Sequence, residues 1–211
     1  MIQMKIIAFD LDDTLVPEAL FIKSGTRYIA RMLHEKYPVL SISRIISCID
    51  TALFTRCNHY SALEAYMESM SIDPCPIMPG IVKEFRNHVP DQEIYHMPPS
   101  MVGILENLKK SNGIRLALVT DGRSITQRNK IEAAGLYRYF DKEDIYISGE
   151  TGHDKNDPDS FLAIMRKYAG AEEYHYVGDN PDKDVKHPSR LGWYTHLVHP
   201  FPLAVHQGIK Q

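Results

Sequence analysis

Short apolar runs alternate with longer amphipathic stretches along most of the 211-residue chain. The apolar runs have the length of β-strands and cover residues 5–9, 114–119, 144–147, 173–177 and 193–198. Between them, apolar residues at helical spacing predict helices over residues 100–110, 124–134, 159–168 and 181–191. Because strands that alternate with helices favour crossover connections, the pattern predicts an α/β fold with a doubly wound, mostly parallel sheet.

One segment between the first and second predicted strands breaks this alternation. From about residue 17 to residue 94 there is no strand pattern, and apolar positions recur at helical spacing between prolines at positions 38, 74, 76 and 79. This pattern predicts an all-helical insert of about four helices. The expected domains are therefore an α/β core formed by residues 1–16 and 95–211 and a helical domain formed by residues 17–94.

Composition and charge narrow the class of protein. Hydrophobic residues make up 44% of the chain and charged residues 24%, as in a globular protein rather than a disordered one. The net charge of −3 gives no basic surplus, so we expect no nucleic-acid partner. No apolar stretch approaches the roughly 20 residues that cross a bilayer, and the N-terminus does not resemble a signal peptide. The three cysteines form no pairing motif, which favours a reduced, cytoplasmic protein without membrane contact.

Acidic and polar residues follow the predicted strands, at the sheet edge where ligands gather in parallel sheets. The strand ends read Asp10-Leu11-Asp12-Asp13-Thr14-Leu15, Thr120-Asp121-Gly122 and Gly178-Asp179, with Asp184 five residues after Asp179. Lys155 lies in a further segment that is rich in glycine and acidic residues.

If Asp10, Asp12 and Asp179 converge, they require a compensating cation. Two carboxylates about 4 Å apart repel by roughly 4 kcal/mol at an effective dielectric constant of about 20. Mg²⁺ is the natural counter-ion, because it prefers hard oxygen ligands and the histidines and cysteines show no zinc spacing. A magnesium site beside Lys155 and the Thr120 hydroxyl would suit an anion, above all a phosphoryl group.

The ordered set of motifs resembles the haloacid dehalogenase (HAD) superfamily of phosphohydrolases. The motifs that carry the resemblance are Phe9-Asp10-Leu11-Asp12-Asp13-Thr14-Leu15, Val119-Thr120-Asp121-Gly122, Lys155, and Gly178-Asp179 with Asp184. The resemblance covers essentially the whole chain and implies a Rossmann-like core, with the insert similar to the family's first-position α-helical cap. Two departures stand out: Asp121 replaces the Asn of many relatives, and Lys155 lacks the proline that often follows it directly.

The resemblance implies catalytic and metal-binding roles for the acids. Asp10 would be the nucleophile that forms an aspartyl-phosphate, and Asp12 the general acid and base. Asp10 and Asp179 would bind Mg²⁺ through their side chains, and Asp12 through its backbone carbonyl. Asp184 would hold a metal-bound water or orient Lys155. Asp13 is expected to structure the loop.

The resemblance also implies which residues bind the substrate. Thr120 and the backbone amide of Asp121 would bind phosphate oxygens, and Lys155 would neutralise the phosphoryl charge and hold Asp10. Taken alone, Thr120 could instead cap the following helix, Lys155 could be a surface lysine, and Asp184 a helix-start charge. Candidates that would read the leaving group, or would form a solvated helix face, are Lys23, Arg27, Arg31, Arg56, His59 and Tyr60.

The expected function is therefore Mg²⁺-dependent hydrolysis of a small phosphorylated metabolite. A phosphomutase with the same nucleophile and a catalytically silent sensor of phosphorylated metabolites remain alternatives. A dehalogenase is disfavoured because a halide leaving group needs neither an acid at Asp12 nor a Mg²⁺ site. A response-regulator receiver is disfavoured because it carries its phosphorylated aspartate on a later strand and has no helical insert.

Overall fold

The computed structural model describes residues 4–55 and 60–198, except for the side chains of residues 51–55. Within these residues one parallel sheet forms from β1 (Lys5–Phe9), β2 (Ile114–Thr120), β3 (Ile145–Ile147), β4 (Glu173–Gly178) and β5 (Tyr194–Leu197). The strand order is β3-β2-β1-β4-β5, so the chain builds outward on one side of β1 and then on the other. The predicted doubly wound parallel sheet is confirmed.

The helices that follow the strands cover both faces of the sheet. In chain order the helices of the described residues are α1 (Glu18–Lys36), α2 (Ile42–Thr55), α3 (Ser61–Ser69), α4 (Met78–Asn87), α5 (Pro99–Lys110), α6 (Ser124–Ala133), α7 (Ser148–Thr151), α8 (Asp159–Lys167), α9 (Pro181–Asp184) and α10 (Lys186–Arg190). The helix predicted over residues 181–191 is thus divided at Val185. The short helix α7 and two 3₁₀ turns, Leu136–Arg138 and Lys142–Asp144, have no counterpart in the predicted pattern.

β1, β2 and β4 form strands because each buries side chains on both faces of the sheet, whereas β5 at the sheet edge is mostly exposed. On one face Phe9 and Leu118 join a cluster completed by residues of α5 and α6. On the other face Ala8, Val119 and Tyr176 pack with residues of α8. A strand covered on both faces is expected to be a continuous apolar run, as β1 and β2 are.

The segment between β1 and α5 contains the four helices α1–α4, as the proline-punctuated pattern predicts. These helices bury a separate apolar cluster that includes Ile29, Leu33, Ile45, Leu63 and Ile81. Helix α1 packs against both α2 and α4, which holds the insert together. No helix among residues 4–55 and 60–198 has the length and apolar character needed to cross a membrane.

The insert is tied to the sheet through α6. The Thr126 hydroxyl donates to the carbonyl oxygen of Arg86 at 2.8 Å, and the Asn129 amide donates to that of Asn87 at 2.9 Å. Phe21, near the start of α1, belongs to the apolar cluster of the sheet rather than to that of the insert. The insert therefore contacts the helix that follows the carboxyl end of β2.

Candidate active site

The two central strands bring Asp10 and Asp179 together. β1 and β4 are parallel neighbours, and their register pairs Phe9 with Val177. The Asp10 amide continues this ladder by donating to the Val177 carbonyl oxygen at 2.9 Å. Asp179 follows β4 directly, so both carboxylates lie at the point where the strand order reverses, the usual ligand position in such sheets.

Asp184, at the end of α9, joins these two acids. One carboxylate oxygen from each of Asp10, Asp179 and Asp184 lies within 4.8 Å of the other two. Asp184 is only 1% exposed, and both of its oxygens have protein partners. Oδ1 accepts from the Lys155 ammonium group at 2.7 Å, and Oδ2 accepts from the Asn180 amide at 2.9 Å. Asp184 therefore braces the cluster through its contacts with Lys155 and the Asn180 amide.

Lys155 reaches the acidic cluster from the loop after α7. Its ammonium nitrogen lies 2.9 Å from Oδ1 of Asp10 and is almost fully buried. The backbone amide of Lys155 donates to Oδ1 of Asp121 at 3.0 Å, which fixes the loop against the end of β2. The missing proline after Lys155 therefore does not move the lysine away from Asp10, and the Asp121 side chain supports this loop.

Burial and mutual repulsion dominate the electrostatics of the cluster. Burial raises the pKa of Asp10 from its ordinary 3.8 to about 7, although the charge of Lys155 opposes this and that of Asp184 adds to it. The pKa of Asp179 is also raised, first by burial and then by the charge of Asp184. Burial disfavours the charged form of Lys155, but the carboxylates of Asp10 and Asp184 outweigh it and raise its pKa. A buried carboxyl with a pKa near neutrality in a polar cleft is typical of a functional site.

The charges of this cluster fit a divalent cation. Three carboxylates face one ammonium group, so the cluster carries surplus negative charge where water is largely excluded. The donor atoms are all hard oxygens, which is the ligand set that Mg²⁺ prefers. Each oxygen of Asp184 already accepts a hydrogen bond, from Lys155 or from the Asn180 amide, so Asp10 and Asp179 are the side chains best placed to hold the ion.

Thr120 and Asp121 lie at the end of β2 as expected and share one partner, Gln127 of α6. The Gln127 amide nitrogen lies 2.7 Å from the Thr120 hydroxyl oxygen and 2.9 Å from the Asp121 carbonyl oxygen. Gly122, which follows Asp121, adopts φ +148°, a conformation that residues with a side chain rarely adopt. A Cβ atom at Gly122 would lie 2.9 Å from the Gln127 side chain. This turn sends the chain from β2 into the N-terminus of α6, beside the acidic cluster.

The Asp12 side chain points towards α6 and not towards the three clustered acids. Its carboxylate accepts from the Lys130 ammonium group at 2.8 and 2.9 Å and from the Gln127 amide at 3.1 Å. The loop around it is held by Asp13, which has φ +55° and accepts the amide of Glu18 at the start of α1. The predicted structuring role of Asp13 agrees with this contact.

Gln127 and Lys130 are the site residues that the sequence analysis does not identify. Both are almost fully buried although their types usually lie on the surface. They lie three residues apart, on the same face of α6 as the buried Ile131. Their residue types do not mark them in the sequence, because Gln and Lys on a helix ordinarily face solvent.

Several candidates for reading the leaving group lie away from this cluster. Arg27 and Arg31 are exposed on α1, as in a solvated helix face. Lys23 is half-buried, and together with Arg27 it acts electrostatically on Asp50 of α2. Tyr60 is half-buried at the start of α3. The remaining candidates, Arg56 and His59, lie outside the described residues, as do Cys57 and the tail from Pro200 to Gln211.

The raised pKa of Asp10 predicts a pH-dependent cost to stability. Because folded Asp10 holds its proton up to about pH 7, its contribution to the free energy of unfolding falls as pH rises from about 4 to 7. Asp10→Asn removes this cost. Urea denaturation in EDTA measures the free energy of unfolding of the variant and of the parent. From pH 5 to pH 8 we expect the difference between them to grow by about 1–3 kcal/mol in favour of the variant. An equal difference at both pH values would show that Asp10 titrates normally.

Comparison with known proteins identifies the family. The family model for haloacid dehalogenase-like hydrolases matches residues 7–198. Glyceraldehyde 3-phosphate phosphatase of Methanocaldococcus jannaschii is 28% identical over 196 residues, covering 91% of this chain and 83% of that protein. Phosphoserine phosphatase of Thermus thermophilus is 28% identical over 215 residues, covering 87% and 84%.

Solved structures agree on the fold. The HAD hydrolase YfnB of Bacillus subtilis, solved with bound magnesium, superposes with a TM-score of 0.60 at 19% identity over 92% of this chain and 86% of that one. The matched segment, residues 7–198, includes every strand end described above, from Asp10 to Asp184. The resemblance carried by the motifs is thus confirmed: this chain belongs to the haloacid dehalogenase-like hydrolase family.

Proposed function

We propose that this protein is a Mg²⁺-dependent phosphatase that hydrolyses a small phosphorylated metabolite through an aspartyl-phosphate on Asp10. The observation that carries the proposal is the buried Asp10 carboxylate, held by Lys155 and facing Asp179 at the carboxyl edge of the sheet. The relatives named as phosphatases of glyceraldehyde 3-phosphate and phosphoserine support this class of substrate. Both of these substrates are small phosphate monoesters.

In this proposal the chain binds the phosphoryl group with residues at the ends of three strands. Lys155 places its positive charge beside Asp10, where it would reduce repulsion between the nucleophile and the anionic substrate. The Thr120 hydroxyl and the Asp121 amide would bind the other phosphoryl oxygens near the N-terminus of α6. A Mg²⁺ ion held by Asp10, Asp179 and the Asp12 carbonyl would neutralise negative charge on the nucleophile and the phosphoryl oxygens.

Asp10 and Asp12 divide the proposed chemistry between them. An Asp10 carboxylate oxygen bonds to phosphorus while the bond from phosphorus to the leaving oxygen breaks, and the Asp12 carboxyl gives its proton to that oxygen. In the second half-reaction Asp12 takes a proton from a water molecule that attacks the phosphorus. The bond from Asp10 to phosphorus then breaks, which releases inorganic phosphate and restores both side chains.

We further propose that residues 17–94 form a cap domain over a core of residues 1–16 and 95–211. The separate apolar cluster of α1–α4 supports this division, as does the contact of the insert with α6 beside Asp12. A cap in this position would exclude water and contact the leaving group. The free thiols of Cys48 and Cys75 agree with a reducing compartment, which supports a cytoplasmic location.

Removal of divalent metal tests the cofactor. With 4-nitrophenyl phosphate as substrate, excess EDTA is expected to lower the rate at least about 100-fold, and added Mg²⁺ to restore it. The physical reason is that Asp10, Asp179 and Asp184 repel a phosphate dianion unless a cation compensates them. Undiminished activity in EDTA would contradict the metal assignment.

A screen of phosphorylated metabolites that measures kcat/KM tests the function and its alternatives. Release of inorganic phosphate, without an isomerised product, supports a phosphatase. An isomer formed faster than phosphate would instead support a phosphomutase, which uses the same nucleophile. Binding without either product would support a catalytically silent sensor.

Substitution of Gly178 tests whether Asp184 holds Lys155 in position. A Cβ atom at this position would collide with the carboxylate of Asp184. Gly178→Ala is therefore expected to displace Asp184 from Lys155 and to lower kcat about 100-fold, since small misplacements in such sites are costly. Gly170→Ala is the matched control, because a Cβ atom at Gly170 meets nothing within 4 Å. Equal activity of the two variants would contradict the role given to Asp184.

A further inference from the structure

A buried lysine outside the family motifs holds the carboxylate that we assign to proton transfer. The Lys130 ammonium nitrogen lies 2.8 Å from Oδ1 and 2.9 Å from Oδ2 of Asp12, so it bridges both oxygens. Lys130 is 3% exposed and comes from α6, at a sequence distance of 118 residues from Asp12. The Asp12 side chain is 22% exposed, so the pair is part-buried, and loss of Asp12 would leave the charge of Lys130 buried without a partner.

Two neighbours fix the direction from which Lys130 approaches. Its ammonium nitrogen lies 4.3 Å above the ring centroid of Phe21, in the geometry of a cation–π contact. Gln127 of the same helix donates to Oδ2 of Asp12 and to the Thr120 hydroxyl oxygen. The Asp12 carboxylate is therefore bound from one side by two side chains of α6, and one of these also contacts the proposed phosphate site.

We infer that Lys130 is a positioning residue, which holds the Asp12 carboxyl in the orientation that serves proton transfer to and from the leaving oxygen. This inference rests on the proposed function and deepens it. Asp12 lies two residues after Asp10 at the end of β1, and two carboxylates this close along the chain repel each other. Without Lys130 nothing of comparable charge among the described contacts of Asp12 would oppose that repulsion.

Proton donation by Asp12 matters more as the leaving oxygen becomes more basic. The test therefore compares three esters with increasingly basic leaving groups: 4-nitrophenyl, phenyl and benzyl phosphate. For Lys130→Met we expect kcat/KM to fall about 100-fold or more on benzyl phosphate but about 10-fold or less on 4-nitrophenyl phosphate. Lys130→Arg, which can also bridge a carboxylate, is expected to keep a ratio between the two substrates closer to that of the parent.

The ratio of kcat/KM on benzyl phosphate to kcat/KM on 4-nitrophenyl phosphate distinguishes a positioning role of Lys130 from a smaller amount of folded protein. Both rates are measured on one preparation, so their ratio does not depend on how much of the variant folds. Arg128→Met is the matched control, because Arg128 lies on the same helix but pairs with Glu150 at 2.6 Å instead of Asp12, and its ratio should equal that of the parent. In an Asp12→Asn background, Lys130→Met should leave the ratio unchanged, since its effect passes through Asp12.

Two results would overturn the inference in distinguishable ways. If the parent hydrolyses the esters but Lys130→Met lowers all three rates by one factor, Lys130 is only structural and the proposed phosphatase function stands. If the parent hydrolyses none of these esters and none of the screened metabolites, the proposed function fails and the role of Lys130 fails with it.

Discussion

Asp10→Asn is expected to lower kcat/KM for phosphate esters by about 10⁴-fold or more. An amide oxygen is a far weaker nucleophile than a carboxylate, and Asn cannot form the ion pair with Lys155 that orients Asp10 at 2.9 Å. The loss should appear in kcat on 4-nitrophenyl phosphate with Mg²⁺ present. Because Asn is nearly the same size as Asp, the fold and the other contacts of the cluster should persist.

Asp182→Asn is the matched control for this variant. Asp182 lies in α9, between Asp179 and Asp184 in the chain, but it is exposed. The same change of one carboxylate to an amide should therefore leave kcat/KM within about twofold of the parent, in line with most surface substitutions. Turnover by Asp10→Asn at a rate similar to that of Asp182→Asn would remove Asp10 from the mechanism.

Lys155→Met is expected to reduce both activity and stability. The Lys155 ammonium group is shared between Asp10 and Asp184, which are both almost fully buried. Without it their carboxylates face each other uncompensated, and removal of one partner from a buried ion pair typically costs about 3–5 kcal/mol. We expect the free energy of unfolding in EDTA to fall by about that amount, and kcat/KM with Mg²⁺ to fall about 10³-fold.

The pH at which stability is measured sharpens this prediction. The cost should be larger at pH 8, where Asp10 is ionised, than at pH 5, where its raised pKa keeps it protonated. Lys183→Met provides the control, since the Lys183 side chain is 45% exposed and lies 3.7 Å from Asp121. If Lys155→Met unfolds at the same urea concentration as Lys183→Met at pH 8, the buried pair is not what holds this cluster together.

The α/β core can be predicted from the sequence because local signals mark each element of it. β1, β2 and β4 are short apolar runs that end in motif residues, and a parallel sheet collects such ends at one edge. The motifs therefore indicate that Asp10 and Asp179 lie at the same edge of the sheet, and the pairing of β1 with β4 makes them neighbours. The separate helical character of residues 18–87 is equally readable, since prolines divide it and no strand pattern interrupts it.

The partners of Asp12 could not be predicted in the same way. Gln127 and Lys130 reach Asp12 only because α6 packs across the end of β1, and that packing depends on the tertiary fold. Lysine on a helix is ordinarily a solvated residue, so neither its type nor its spacing indicates burial. The sequence likewise leaves two alternatives for Asp184, a charge at the start of a helix and a support for Lys155, and the contact between Lys155 and Asp184 forms only in the fold.

The side chains that select the substrate are a further limit of sequence reasoning. Basic residues at i, i+4 spacing on α1 are compatible both with a binding face and with a solvated one. In the structure Arg27 and Arg31 are exposed, while Phe21 and Lys130 lie at the junction with Asp12. Which of these side chains meets a leaving group depends on the position of the insert when substrate is bound.

The most direct test of the central claim is to trap the phosphorylated residue itself. The enzyme is mixed with substrate and Mg²⁺, quenched in acid and reduced with borohydride, which converts an aspartyl-phosphate to homoserine, and its peptides are then sequenced by mass spectrometry. The account predicts homoserine at position 10, dependent on substrate and on Mg²⁺. Rapid phosphate release with an unmodified Asp10, or with the reduced residue at another aspartate, would contradict it.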